Sequence, residues 1–276
     1  MIKTVEIKCI EDVADLILDL EYNSEIDRMR SPYLFRGMPD YAFKLTTSLR
    51  RNCADKQRML EPSILRYFTK YASIEDPSLD GNIWKQLMVG QHHGLPTRLL
   101  DWSKSALIAL HFATAERDVG DTDVRDGIVW RIDAREIGDM LPERYRAALK
   151  AENTNYFSVN MLKKLVPSLD EYDFDMGDHS MVIVEPPSTD QRIINQYAYF
   201  SVVPMGIEDI EADFLNRTQN TMKYIIRKDV RWDIRDLLDQ SNISERVMYP
   251  GLDGLTKWIA RHYYVKDNPY AGSENP

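Results

Sequence analysis

The chain has 276 residues and a formal net charge of −9, from 35 Lys and Arg against 44 Asp and Glu. That length can bury a core without disulfide or metal staples, and 43% hydrophobic with 29% charged residues excludes a disordered, collagenous or coiled-coil protein. The acidic balance argues against a general nucleic-acid or membrane-surface coat, because phosphate binding draws on an excess of Lys and Arg, while leaving room for a local basic groove. Cys9 and Cys53 are the only cysteines, so neither a disulfide framework nor a thiolate metal site is expected. Charge interrupts the short apolar runs of residues 1–6, unlike a signal peptide, and no stretch approaches the roughly 18 apolar residues of a spanning helix. A cytoplasmic protein is the expectation.

Taken in chain order, Val13, Leu16, Ile17 and Leu20 recur at helical spacing and predict a helix over 11–22. Tyr33-Leu34-Phe35-Arg36-Gly37 reads as a short buried strand ending in a turn at 37–40. Helices are expected at 54–71 and 82–93, the second stopped by Gly94 and Pro96. Ser103 has the chemistry of an N-cap for a helix over 104–117, with Ala106, Leu107, Ala109, Leu110 and Ala113 as a small-residue packing face. Residues 127–133 form a strand, and 134–180 read as short helices and acidic loops, with 170–178 the most loop-like. A strand at 181–185 precedes Pro186-Pro187, and Ser188 with Gln191 has capping-box spacing for a short helix towards Gln196. Strands at 200–203 and 222–227 and helices at 231–239 and 252–263 complete the pattern. Helices and strands alternate irregularly and no repeat is visible, which predicts one α+β domain: a central mixed or antiparallel sheet with flanking helices. Its divisions are an N-terminal helical and strand extension over 1–29 packed on the core, the domain itself over 30–265, and a disordered tail over 266–276.

Chemistry concentrates in residues 90–103, where His92, His93, Thr97, Arg98, Asp101, Trp102 and Ser103 bracket a Gly/Pro turn that reads as a helix–loop–helix junction. Two readings fit these residues. They form the floor of a site, or Asp101 caps the next helix, Arg98 pairs with Asp101 or a carbonyl, and His92 is a buried donor. Metal binding is not expected, since adjacent histidines on a helix point about 100° apart. No nucleophile elbow, Walker loop or dinucleotide fingerprint is present. Arg36 follows an apolar strand, and a guanidinium so placed needs an anion or a carbonyl, supplied by the protein or by a ligand. Gln196 sits at a helix-to-strand junction beside Tyr197, Tyr199 and Phe200.

Leu34-Phe35-Arg36-Gly37, the run from Gln91 to Ser103, and Ala109-Leu110-His111-Phe112-Ala113 together closely resemble the FRG domain, a family named for its Phe-Arg-Gly triplet. Arg192 and Gln196 followed by Phe200, and the stretches 243–245 and 249–254, resemble its later motifs. The family's members are mostly bacterial and phage-associated, some in toxin or anti-phage systems. The order of the motifs is similar to that of ADP-ribosyltransferases, which implies NAD as substrate and a macromolecular acceptor. On that likeness Arg36 anchors the NAD phosphates or ribose, Thr97 or Ser103 belongs to the central motif, and Gln196 stands at the late acidic or amide position. His92, His93, Arg98 and Asp101 would shape the site or accept a proton, and Trp102 or Tyr199 would stack on a ring. Arg36, Gln196, His92 and His93 are thus the expected catalytic residues, and Arg36, Thr97, Arg98, Asp101, Trp102 and Ser103 the expected cofactor-binding ones. A toxin would further imply an antitoxin or a phage-derived trigger as partner. A non-catalytic nucleotide- or nucleic-acid-binding module is the competing expectation.

Overall fold

Every residue from Gly127 to Asp133 is buried, as a strand covered on both faces requires. This strand lies inside an eight-stranded mixed sheet in the computed structural model, which describes residues 2–188 and 190–266. Strand β1 (Lys3–Ile7) leads into helix α1 (Val13–Ile17), a hairpin of β2 (Glu21–Asn23) and β3 (Arg28–Arg30), and strand β4 (Tyr33–Met38). Helices α2 (Ser48–Cys53), α3 (Gln57–Ala72) and α4 (Ile83–His92) separate β4 from β5 (Leu99–Ser103), which runs into α5 (Ala106–Thr114). Strand β6 (Gly127–Asp133) precedes α6 (Ala134–Asp139), α7 (Glu143–Ala151), β7 (Phe157–Ser158), α8 (Val159–Leu165), α9 (Leu169–Met176) and β8 (Val182–Glu185). Then come α10 (Gln191–Asn195), β9 (Ala198–Val202), β10 (Met222–Ile226), α11 (Arg231–Gln240), α12 (Glu245–Met248) and α13 (Leu252–His262). The sheet order is β1-β10-β6-β4-β5-β9-β8-β7, parallel at the two outermost pairs and antiparallel between. The α+β class and the helix-flanked mixed sheet are those expected. The segment expected as an N-terminal extension supplies β1, an edge strand of this sheet, and the expected tail lies outside the described residues except for Lys266.

Period-two alternation divides the core. Leu34, Met38, Leu100, Trp102, Ile128, Trp130 and Ile132 form one continuous cluster on one face. The opposite face carries two separate ones. Phe35, Val129, Tyr224 and Ile226 pack under α5 and α11, while Leu99, Val182, Val184, Phe200 and Val202 pack under α4, α8 and α9. A gap between these two helical cores opens over β4 and β5.

Several predicted elements change character. The junction at 94–103 contains strand β5, so it is a helix–loop–strand–helix; a short apolar run does not by its period distinguish strand from helix. Ser103 therefore ends a strand, and the residue preceding α5 is Ser105. The acidic stretch expected as loop is α9: the Ser168 hydroxyl accepts from Glu171 N, Asp170 and Glu171 occupy the first turn, and Tyr172 and Met176 are buried one turn apart. Asp190 rather than Ser188 caps α10, its side chain accepting from Arg192 N. The first helix is shorter than expected because residues 21–23 pair with 28–30. Among the described residues no helix is long and apolar enough to cross a membrane.

Helix α5 lies at backbone contact distance on the sheet. A Cβ on Gly37 would fall 1.8 Å from the Ala109 carbonyl oxygen, and one on Gly127 would fall 2.2 Å from that of Ala113. Gly37→Ala is therefore expected to destabilise the protein by about 3 kcal/mol, the upper range for overpacking. Gly138→Ala, whose added methyl would meet only Leu149 Cδ1 at 3.7 Å on α6, should stabilise by roughly 0.5–1 kcal/mol. Urea denaturation of the two variants checks both signs.

Candidate functional site

Neighbouring strands stand about 4.8 Å apart, too close for a guanidinium to lie between them. β4 and β5 share the single register pair Phe35↔Ser103. Beyond it Arg36 occupies the seam, its Nη1 donating to the Asp101 carbonyl at 2.7 Å and lying 3.4 Å from Asp101 Oδ2. The strands part there over a cavity of about 300 Å³ lined by Phe35, Arg36, Gly37, Gln91, Asp101, Trp102, Ser103, Phe112, Arg192, Gln196 and Ala198. The Arg36 side chain is 17% exposed and that of Asp101 54%. Burial lowers the Arg36 pKa and Asp101 opposes that; the guanidinium stays charged at any ordinary pH. Its Nε is buried with no hydrogen-bond partner.

A relay of polar groups fixes Asp101. Gln91 Nε2 donates to both carboxylate oxygens at 3.1 and 3.0 Å, and Gln91 Oε1 accepts from Thr97 Oγ1 at 2.5 Å. Thr97 Oγ1 in turn accepts from Leu99 N. Opposite, Ser103 Oγ donates to the Gln196 carbonyl at 2.8 Å and accepts from Ser105 N. Gln196 Nε2 donates to Met248 O at 3.0 Å, and Asn195 Nδ2 to Val247 O at 2.7 Å. A carbonyl only accepts, so Met248 fixes the amide of Gln196 with Nε2 towards itself and leaves Oε1 as the free acceptor. α12, which carries Met248, is held through Glu245, which pairs with the buried Arg235 and Arg261. Arg235 also donates to His111 Nδ1 at 3.1 Å. Burial, then Arg235 and Arg261, push the His111 pKa well below its ordinary value, so it is neutral and its Nδ1 accepts.

The structure thus brings Arg36, Asp101, Ser103 and Gln196 into one cavity and leaves others outside it. Thr97 is fully buried and reaches the site through Gln91. Arg98 is saturated elsewhere: Nε meets Glu61 Oε1 at 2.8 Å, Nη2 meets Glu61 Oε2, and Nη1 meets Asp173 at 2.7 Å, all buried. It neither pairs with Asp101 nor faces the cavity. Trp102 belongs to the cavity lining, but its indole is buried in the core on the opposite face, donating to Ser201 Oγ at 3.0 Å, and presents no exposed ring face to a ligand. Tyr199 packs on Tyr156, with ring centroids 4.5 Å apart. His92 and His93 line a neighbouring cavity of about 410 Å³, where His92 Nε2 is 3.1 Å from Asp190 Oδ1. A wider trough of about 870 Å³ runs along α3, lined largely by apolar groups such as Leu60, Ile64 and Leu95, with Asn52, Ser63 and Glu75 beside them. Among the described residues no group of three or more His, Cys, Asp or Glu is placed to hold a metal.

Gln91, Phe112 and Arg192 were not among the predicted site residues. Gln91 faces Asp101 only because β5 is a strand, and Phe112 enters because the small face of α5 is turned to Gly37. Arg192 carried a signal as the first residue of the motif ending in Gln196.

Residues 31–122, from the start of β4 to the turn after α5, match the family model of the FRG domain. The chain carries an FRG domain. The matched segment supplies Arg36, Gln91, Asp101, Ser103 and Phe112, whereas Arg192 and Gln196 come from beyond it. The chain matches no curated protein and no solved structure.

Burial would raise the Asp190 carboxyl, but the Arg192 amide and His92 outweigh it and hold the group below its ordinary value. A carboxyl depressed in the folded state stabilises above its unfolded pKa, roughly 3.9, and loses that contribution as the pH falls. Asp190→Asn keeps a capping acceptor, so its melting temperature should lie below wild type at pH 6 and converge on it between pH 5 and 3. Gln196→Glu, which sets a carboxylate against Met248 O, should cost roughly 1–2 kcal/mol at pH 7. Thermal melts should show the loss shrinking in acid, where the protonated carboxyl donates.

Proposed function

We propose that the β4–β5 cavity binds NAD and that the chain transfers ADP-ribose from it to a macromolecular acceptor, or to water when none is present. Supporting this reading above all is the Arg36 guanidinium, a cation in the cavity wall whose side chain keeps 17% of its surface exposed there. Its planar fork can offer charge-assisted hydrogen bonds to a ligand oxyanion. The free Gln196 Oε1 is an acceptor of the kind a ribose hydroxyl requires. A volume of about 300 Å³ lies at the lower end for small-molecule sites and matches one end of a dinucleotide.

In this reading Arg36 binds the diphosphate and Gln196 Oε1 accepts from the ribose 2′-hydroxyl. The C1′–nitrogen bond breaks with its electron pair leaving on nicotinamide, and the acceptor's oxygen or nitrogen forms the new bond to C1′. Asp101 is the one carboxylate among the lining residues. It takes the acceptor's proton and, while ionised, stabilises the oxocarbenium character that develops on the sugar. Gln196 cannot serve as that base. Phe112 offers the apolar wall that Trp102 and Tyr199 do not. His92 and His93 act through Asp190, the cap of α10. The wider role the resemblance implies, a toxin or anti-phage effector restrained by an antitoxin or released by a phage-derived trigger, depends on this activity.

The amide at 196 also favours a second reading, a nucleotide-binding module without turnover. Nicotinamide release, followed by mass spectrometry, separates the two. Wild type should release nicotinamide, and Arg36→Ala and Asp101→Asn should each lose about 100-fold in rate while melting within a few degrees of wild type. Undiminished release by a folded Arg36→Ala protein would remove the transferase assignment, and saturable NAD binding without release would favour the module.

A further inference from the structure

Arg192 is a cation in the cavity wall that the chemistry above leaves unused. Other buried or half-buried arginines are neutralised: Arg98 by Glu61 and Asp173, Arg131 by Asp19, Arg231 by Glu116, Arg235 and Arg261 by Glu245. Among the described residues the Arg192 guanidinium has neither an ion pair nor a side-chain hydrogen bond; its Cζ lies 5.0 Å from the centroid of the Tyr249 ring. A ring face holds a planar guanidinium in place but takes none of its five N–H donors. Tyr249 is itself half-buried and set at the end of α12, the element clamped by Glu245. The platform under Arg192 is therefore rigid, and the donors above it are free.

The charge of the cavity tells what it would bind. Arg36 and Arg192 set two positive charges against the single carboxylate of Asp101. A space of about 300 Å³ is roughly 8 Å across if round, so a ligand that fills it meets both guanidiniums. Two cations lining one partly dry cavity with one countercharge repel one another. A ligand with at least two negative charges and two groups of acceptor oxygens removes that cost, and each planar fork can take one group bidentately.

We propose that Arg192, stacked on Tyr249, is the second half of an anion clamp whose first half is Arg36, and that the clamp takes the diphosphate of a nucleoside diphosphate. The choice of a nucleotide rests on the NAD-binding reading above; the diphosphate rests on the two guanidiniums alone.

Isothermal calorimetry with inorganic pyrophosphate, ADP-ribose and adenosine tests it on wild type, Arg192→Ala, Arg192→Lys and Arg246→Ala. Arg246 stacks on Trp258 outside the cavity and controls for loss of one positive charge. Arg192→Ala should weaken pyrophosphate and ADP-ribose by about 30-fold, with adenosine unchanged and Arg246→Ala within about twofold of wild type. Arg192→Lys, which keeps the charge and the ring contact but not the fork, should fall between and serves should the alanine variant not fold. Equal binding by wild type and a folded Arg192 variant would overturn the clamp, as would wild type that binds neither pyrophosphate nor ADP-ribose. Arg192-dependent pyrophosphate binding with no nicotinamide release upholds the clamp and removes the transferase. Nicotinamide release with ADP-ribose affinity indifferent to Arg192 does the reverse.

Discussion

A charged side chain cannot be threaded through a hydrogen-bonded β-ladder, and the middle of this molecule is arranged around that constraint. Arg36 stands at the one seam where the eight-stranded sheet is joined by a single residue pair. Its guanidinium supplies to the Asp101 carbonyl the donor that a continued ladder would have given. The sheet does not fall into two because its other face is sealed by one uninterrupted cluster from Leu34 to Trp102 to Trp130. On the seam face the helices gather into two cores, and the cavity is the space neither fills. Gly37 sets one wall: only a residue without Cβ lets α5 come down onto β4, which brings Phe112 to the cavity edge. The Phe-Arg-Gly triplet thus carries three separate duties in three successive residues, a core contact, a cation in the seam and a close helix crossing.

Position at the cavity distinguishes the ionic groups that face a ligand from those that hold the fold. Arg98 spends its donors on two buried carboxylates, one from α3 and one from α9, and so ties helices on the same side of the sheet to β5. Arg235, Glu245, Arg261 and Asp239 form a second closed network joining α11, α12 and α13. Removing one member of such a network strands its partner's charge, which is why they read as scaffold. Arg36, Asp101 and Arg192 are held as firmly, by a carbonyl, an amide and an aromatic ring, yet keep donors and acceptors unspent. The closed networks support the open group: Glu245 holds the α12 backbone whose Met248 carbonyl fixes Gln196.

Much of this was legible in order along the chain. The strand at 127–133, the helix ending near His92 and the strand that delivers Arg36 lie within a residue or two of their expected limits, because strong burial and Gly or Pro stop signals act locally. Arg36 and Gln196 stood out as polar residues in apolar settings, and both line the cavity. The failures have equally physical causes. Leu99-Leu100-Asp101-Trp102-Ser103 has no period that marks it as a strand, and without β5 the direction of every side chain from Thr97 to Ser103 was open. Arg98 and Asp101, three residues apart, have different partners, Glu61 with Asp173 on one hand and Arg36 with Gln91 on the other. The 170–178 stretch is loop-like in its density of acidic residues, yet Asp170 and Glu171 stand in the first turn of a helix and Asp173 neutralises a buried arginine.

Residue chemistry and local geometry could be read along the chain: an α+β pattern, a run of polar groups around 91–103, an arginine that needed a partner, a glycine in a strand. Those properties depend on a residue and its few neighbours in the chain, and so they survive without tertiary information. Which partner each charge found was decided only when strands met across long separations, Phe35 with Ser103, Asp101 with Phe200, Gln196 with Met248. The difference between a buried, saturated arginine and one that waits for a ligand is a matter of which side chains surround it in space, and no spacing along a chain encodes that.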